Sequence, residues 1–253
     1  MRFHTRAFGF VLCLGLALPV RAAESLSPQA IITRTENLLR GVRSSRGEIE
    51  MTVVKKTWTR TLRFRYWEKG RDRTLILILA PPREKGVATL KIKDAIWNYL
   101  PSIERIIKIP PSMMGNSWMG SHFTNDDLVR ESSISRDYTA AFRKTPGDAA
   151  VYALTLTPKP RAAVVWARID IDIDRQSFTP LKAVYYNDRG EAVRTLTYTD
   201  HRKVDNRVFP FRWILVPHHK PGEKTEMRVL DVAFDVPVDD RLFTLRALKR
   251  LQP

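Results

Sequence analysis

The segment Thr61-Leu62-Arg63-Phe64-Arg65-Tyr66-Trp67-Glu68-Lys69-Gly70 sets the architecture. Leu62, Phe64 and Tyr66 alternate with Thr61, Arg63 and Arg65, so one face is apolar and the other polar. A period of two belongs to an extended strand, whose successive side chains point to opposite faces. Glu68-Lys69-Gly70 reads as the turn that ends it. The period of two sets in from Glu48 onward, and downstream Arg73 to Leu79 is another strand, closed by Pro81-Pro82. Further strands are expected at 87–92, 95–100, 103–109, 138–143, 151–157, 163–173, 181–187, 192–199, 207–216 and 225–234. Turn residues separate most of them, among them Lys93-Asp94, Asp188-Arg189-Gly190, Asp205-Asn206 and Pro221-Gly222. Short strands at this spacing predict a mainly β chain built as a single antiparallel meander.

Upstream, the period changes to that of a helix. Ser27 suits an N-cap and Pro28 the first helical position, where no N–H is needed. Ile31, Ile32, Thr35, Leu38, Leu39 and Val42 then form one stripe, and Gly41 to Gly47 ends it. Asp239-Asp240 ahead of Leu242, Phe243, Leu245 and Leu248 predicts a short C-terminal helix. Several strands are apolar on both faces: Leu75 to Leu79 holds no polar residue, and in 207–216 Val208, Ile214 and Val216 oppose Phe209, Phe211, Trp213 and Leu215. A second apolar face needs a cover. Either the sheet curls on itself, or part of its concave face stays open to a ligand.

The N-terminus places Arg2 and Arg6 before an uncharged run from Ala7 to Leu18, followed by Pro19-Val20-Arg21-Ala22-Ala23. This is the order of a secretory signal, with cleavage expected after Ala22 and a single domain over 23–253. The apolar run is too short for a lasting span of the bilayer. Cys13, the only cysteine, lies within it, so the exported chain has no disulfide, thiol nucleophile or Cys-based metal site. The formal charge of +16 falls to +13 when the three arginines Arg2, Arg6 and Arg21 leave with the signal. Export argues against nucleic acid as the partner. An anionic lipid surface is the partner such a charge suits, although an excess spread over solvated strand faces accounts for it equally.

The segment Pro110 to Glu131, PPSMMGNSWMGSHFTNDDLVRE, stands apart from the strands. Met113, Met114 and Met119 lie among Trp118 and Phe123, with Gly115 and Gly120 between them. It reads as a loop with a short helix near 125–131, in which Thr124 and Asp127 form a capping box. Flexible Met side chains repack around varied apolar partners, which suits a lid, and a loop that merely plugs the core has the same composition. No catalytic set is found. Gly115-Asn116-Ser117-Trp118-Met119-Gly120 is one residue longer than a nucleophile elbow and lacks its strand–turn–helix setting. Asp170, Asp172 and Asp174 alternate with isoleucines as the outer face of a strand. The neighbours His218 and His219 lack the companions a metal site requires. No metal or cofactor is expected, and no enzymatic activity.

The stretch Ile96-Trp97-Asn98-Tyr99-Leu100-Pro101, then Ile103 to Pro110, then Met113 to Leu128 resembles the LolA-like outer-membrane lipoprotein-sorting family. That family has a W-x-Y-L-P strand followed by S-W-M-G-S-D-F-T-x-D-D-L. Trp67, Gly70, Pro81 and Gly86 also fit its pattern. The resemblance implies a single curved antiparallel sheet forming a half-open β-barrel, with one long N-terminal helix and short covering helices. It also implies a periplasmic location and binding of lipid or lipoprotein acyl chains. By position, Trp97, Tyr99, Met113, Met114, Trp118, Met119 and Phe123 are then the cavity or lid candidates. His122 departs from the family, which has Asp there. The expected role is carriage of acyl chains toward the outer membrane, with an inner-membrane transporter and an outer-membrane acceptor as partners. The alternative is an envelope lipid sensor that binds without transport.

Overall fold

The computed structural model describes residues 26–130, 134–144 and 149–251. The expected signal, its cleavage point and Cys13 lie outside these residues. After the helix α1 (Pro28–Arg40) come β1 (Ser44–Val54), β2 (Thr59–Lys69), β3 (Arg73–Ala80), β4 (Ala88–Ile92), β5 (Ala95–Leu100) and β6 (Arg105–Lys108). Two short helices follow, α2 (Asn125–Arg130) and α3 (Ile134–Asp137). The second run comprises β7 (Tyr138–Phe142), β8 (Val151–Pro158), β9 (Arg168–Asp174), β10 (Pro180–Tyr186), β11 (Ala192–Val204), β12 (Arg207–Pro217) and β13 (Lys224–Phe234), and α4 (Leu245–Arg250) closes the chain.

All the strands form one antiparallel sheet in the order β6-β5-β4-β3-β2-β1-β13-β12-β11-β10-β9-β8-β7. Two meanders therefore meet where β1 pairs with β13, and the curved sheet stays unclosed between its edges β6 and β7. This is the half-open, mainly β architecture expected from the sequence. The order has a geometric consequence. Because β6 and β7 are consecutive in the chain yet lie at opposite edges, the connection between them must cross the sheet. It does so over the inner face.

The inner face carries the larger core. Ile49, Met51 and Val53 of β1, Leu62 and Phe64 of β2, and Phe209, Trp213 and Leu215 of β12 pack there against Ile31, Ile32 and Leu38 of α1. Ser27 caps α1 as the sequence predicts, its hydroxyl accepting from Ala30 N at 3.2 Å. Gln29 of the same helix covers part of the β7 edge: its amide donates to Tyr138 O at 3.3 Å and its carbonyl accepts from Ala140 N at 3.1 Å. A side chain thus takes hydrogen bonds that another strand would otherwise make.

The outer face needs a cover only where it too is apolar. Leu75 and Leu77 of β3 and Ala88 and Leu90 of β4 form a second cluster with Val238, Phe243 and Leu248, the last from α4. This explains the all-apolar run in β3, which is buried on both sides. Elsewhere the outward positions are polar, as on β9, where Asp172 pairs with Arg143 at 2.5 Å and Asp170 accepts from Thr155 at 2.7 Å. β12 differs from its sequence pattern. Its second face is only partly covered: Val208 and Ile214 are half-buried, and Val216 is exposed, an apolar β-branched residue kept on a solvated strand end. The strand expected over 163–173 begins only at Arg168. The residues before it form a loop held by local bonds such as Ala162 N to Lys159 O at 3.0 Å, with Val164 and Trp166 turned onto the inner core.

Candidate functional site

The β6–β7 connection is compact because its backbone bonds to itself. Trp118 N donates to Phe123 O at 2.8 Å, Asn125 N to Asn116 O at 3.0 Å and Asp126 N to Met114 O at 2.8 Å. The chain reverses at Met119 and Gly120, both left-handed, with φ of 49° and 72°. Glycine suits the second of these positions sterically as well, since a Cβ on Gly120 would stand 2.9 Å from Arg60 Nη2. The reversal drives Trp118 into the inner core, 2 % exposed. Its ring meets Phe64 edge-on at 5.6 Å and its Nε1 donates to Thr89 Oγ1 at 3.3 Å. Phe123 is buried in the same core.

Two sets of contacts fasten this connection. On one side Arg60 donates to Met119 O and pairs with Glu84 at 3.1 Å. On the other, Arg194 of β11 grips Asp127 of α2 through both carboxylate oxygens, at 2.7 and 2.5 Å. The guanidinium lies between the rings of Trp166 and Tyr185, 4.0 and 4.1 Å from their centroids. Asp127 also completes the capping box, accepting from Thr124 N at 2.7 Å while its own N–H reaches Thr124 Oγ1 at 3.2 Å. Burial pulls the Asp127 carboxyl upward, but Arg194 and the Thr124 bonds outweigh it and hold the group below the ordinary carboxylate value.

His122 sits beside this latch with its side chain almost fully buried. Its Nδ1 and Thr225 Oγ1 are 2.8 Å apart, and its Nε2 lies 2.9 Å from Glu223 and 2.7 Å from Lys55. Burial lowers its pKa from the usual value, helped by the Lys55 charge and opposed by Glu223. Glu223, bonded to His122 and Lys55, is itself held down to about 2.

Between this connection, helix α1 and the sheet lie two adjoining cavities. The first, about 80 Å³, is walled by Phe64, Ile76, Trp118, Phe209 and Trp213, with the buried pair Arg40–Glu68 (3.0 Å) at one end. The second, about 70 Å³, lies under Ile32, Phe123, Trp166, Tyr185 and Arg194. Both are mainly apolar and each has room for only a few water-sized groups. Glu36 of α1, which lines the second, accepts from Arg71 and from Ser135 N, both at 2.8 Å. Among the described residues no group of three or more His, Cys, Asp or Glu is arranged to hold a metal ion.

The structure brings together some of the sequence-derived candidates and separates others. Trp118 and Phe123 line the cavities, and Met119 packs against the inner core beside them. Met114 is half-buried within the lid, whereas Met113 is exposed. Trp97 and Tyr99 lie elsewhere: they pack against the outer cluster sealed by α4. The alternation of β5 dictates this, because Asn98, which accepts from Thr89 at 2.8 Å beneath Trp118, occupies the inner side. The sequence reading missed Arg194, Trp166 and Arg60. Only the capping box hinted at the latch, since it marks Asp127 but not its partner on a distant strand.

A model of a family described as an uncharacterized protein matches residues 70–250. No curated protein matches the chain. Among the solved structures that match are three covered over nearly their whole length. A putative outer-membrane lipoprotein-sorting protein domain from Vibrio parahaemolyticus is 21 % identical, with 88 % of this chain and 98 % of that one covered and a TM-score of 0.77. A LolA superfamily protein from Nitrosomonas europaea is 20 % identical, with 88 % and 99 % covered and a TM-score of 0.75. A DUF1329 family protein from Desulfovibrio piger is 21 % identical, with 87 % and 97 % covered and a TM-score of 0.80. The chain belongs to the family whose model spans residues 70–250, and its fold is LolA-like, that of the outer-membrane lipoprotein-sorting proteins.

Proposed function

We propose that this protein binds acyl chains of a lipid or of a lipid-modified polypeptide between the inner sheet face and the lid, and carries them through the cell envelope toward the outer membrane. The observation that carries the reading is the pair of apolar cavities roofed by Trp118 and Phe123, side chains that belong to a self-contained loop and not to the sheet. The cavities are too small for a long chain as they stand, so binding requires the lid residues to withdraw. The energetics permit such an exchange. Each methylene moved out of water gains about 0.8 kcal/mol, so ten gain roughly 8 kcal/mol. Exposing two large apolar side chains forfeits about 1.5–3 kcal/mol each. The difference is favourable yet small enough for release to an acceptor.

Native mass spectrometry of protein taken gently from periplasm, with lipid extraction of the same sample, tests this. Co-purifying acyl lipid or lipoprotein that is lost in folded Trp118→Asp supports the reading. A ligand-free mass, with no uptake of added fatty acid, lipid or acylated peptide, would sink it.

A further inference from the structure

The antiparallel order places the β1–β2, β3–β4 and β5–β6 turns at one end of the sheet, and side-chain geometry joins them to the lid. Arg60, just past the first turn, bonds Met119 O and pairs with Glu84 of the second turn at 3.1 Å. A Cβ on Gly86 would meet Pro101 Cγ of the third turn at 3.5 Å, and one on Gly120 would meet Trp58 at 3.8 Å. This continuous rim exposes two large apolar side chains, Trp58 (42 %) and Ile103 (54 %). Around them stand Lys56, Arg83 and Lys85, all exposed and without an ion-pair partner among the described residues. Of the nearby acids, Glu84 pairs with Arg60 and Glu223 with Lys55 at 3.3 Å, while Glu104 is exposed.

Exposed Trp and Ile ringed by unpaired cations is the composition of a surface that rests in a lipid headgroup layer. Isolated apolar residues on turns need no explanation, but here they coincide with uncompensated positive charge and with the fastening of the lid. We infer that this rim is a docking face for an anionic lipid bilayer. Trp58 and Ile103 enter the interface while Lys56, Arg83 and Lys85 meet the phosphates. Docking brings the Met119–Gly120 reversal against the headgroups, at the point where Arg60 holds the lid. The inference rests on the carrier reading for its purpose, and on the rim itself for its evidence.

The test is flotation of the exported protein with vesicles of phosphatidylethanolamine and phosphatidylglycerol, compared with phosphatidylcholine alone, at low and high salt. Wild type should partition to the anionic vesicles and less so as salt rises. Each cation near such a surface is worth about fivefold in partition, so the triple variant Lys56→Gln, Arg83→Gln, Lys85→Gln should lose roughly 100-fold and most of the salt dependence. Trp58→Ser should weaken binding at both salt concentrations. Uptake of a soluble fluorescent fatty acid reads the cavity separately and should survive all four substitutions. Absence of wild-type partitioning, or full partitioning by the triple variant, would overturn the docking face. Vesicle binding without fatty-acid uptake would leave it standing and remove the carrier reading instead.

Discussion

Replacing Arg194 with methionine keeps the length and apolar character of the stem but removes the charge that holds the lid to β11. Asp127 would then retain Thr124 N at 2.7 Å and Trp166 Nε1 at 3.3 Å as donors. It would lose both guanidinium bonds, in a setting where the two side chains are only 15 % and 5 % exposed. Removing one partner of a buried pair leaves the other charge uncompensated, which costs about 3–5 kcal/mol. That is a large share of the 5–15 kcal/mol typical of a folded domain. The pH dependence supplies a sharper signature than the magnitude. In the wild type, Asp127 has a depressed folded-state pKa, so its contribution is present above the unfolded value near 3.9 and is lost as pH falls below it. In Arg194→Met, burial is opposed only by the Thr124 and Trp166 bonds, without the guanidinium charge, and the folded-state pKa rises. The penalty is then full at neutral pH and shrinks as the solution is acidified toward pH 5. Urea unfolding at pH 7 and pH 5 measures both effects, with Arg194→Lys as an intermediate that keeps charge but not the fork. A variant within about 1 kcal/mol of wild type at pH 7, or one with the wild-type pH slope, would refute the latch.

His122 should be neutral at pH 7, with an NMR titration midpoint below 6.5. Because that pKa is lowered on folding, its contribution is present above the unfolded value and is lost as pH falls through the folded one. A midpoint above 6.5 would contradict the burial-dominated account. Gly47→Ala should destabilise by about 1–3 kcal/mol, since a Cβ there would stand 2.3 Å from Asp231 O across the β1–β13 seam and 2.9 Å from the Tyr66 ring. An unchanged urea midpoint would show that the seam yields. Leu248→Ala should cost about 2–5 kcal/mol by opening the outer cluster, yet leave fatty-acid uptake unchanged because that cluster lies across the sheet from the lid. Loss of uptake in a folded variant would show that the two faces communicate.

The period-two alternation of Leu62, Phe64 and Tyr66 is fixed by local geometry, and so the strands, most of their turns, the capped helix α1 and the Thr124–Asp127 box were legible from residue order alone. The same local rule misled at 163–167, where an apolar run bends onto the core as a loop, and on β12, where strand preference places Val216 in solvent. The family motif located the segment that crosses the inner face, but motif position carries no information about which face a side chain takes. Trp97 and Tyr99 belong to the outer cluster, Trp118 and Phe123 to the cavity, and the register of β5 against β4 makes that division. What only the tertiary structure decided depends on pairings distant in sequence. The β1–β13 seam sends the β6–β7 connection across the inner face, and Arg194 meets Asp127 only once β11 and α2 are brought together. Composition and periodicity act over a few residues, whereas strand order and a buried ion pair are properties of the whole sheet-and-helix packing.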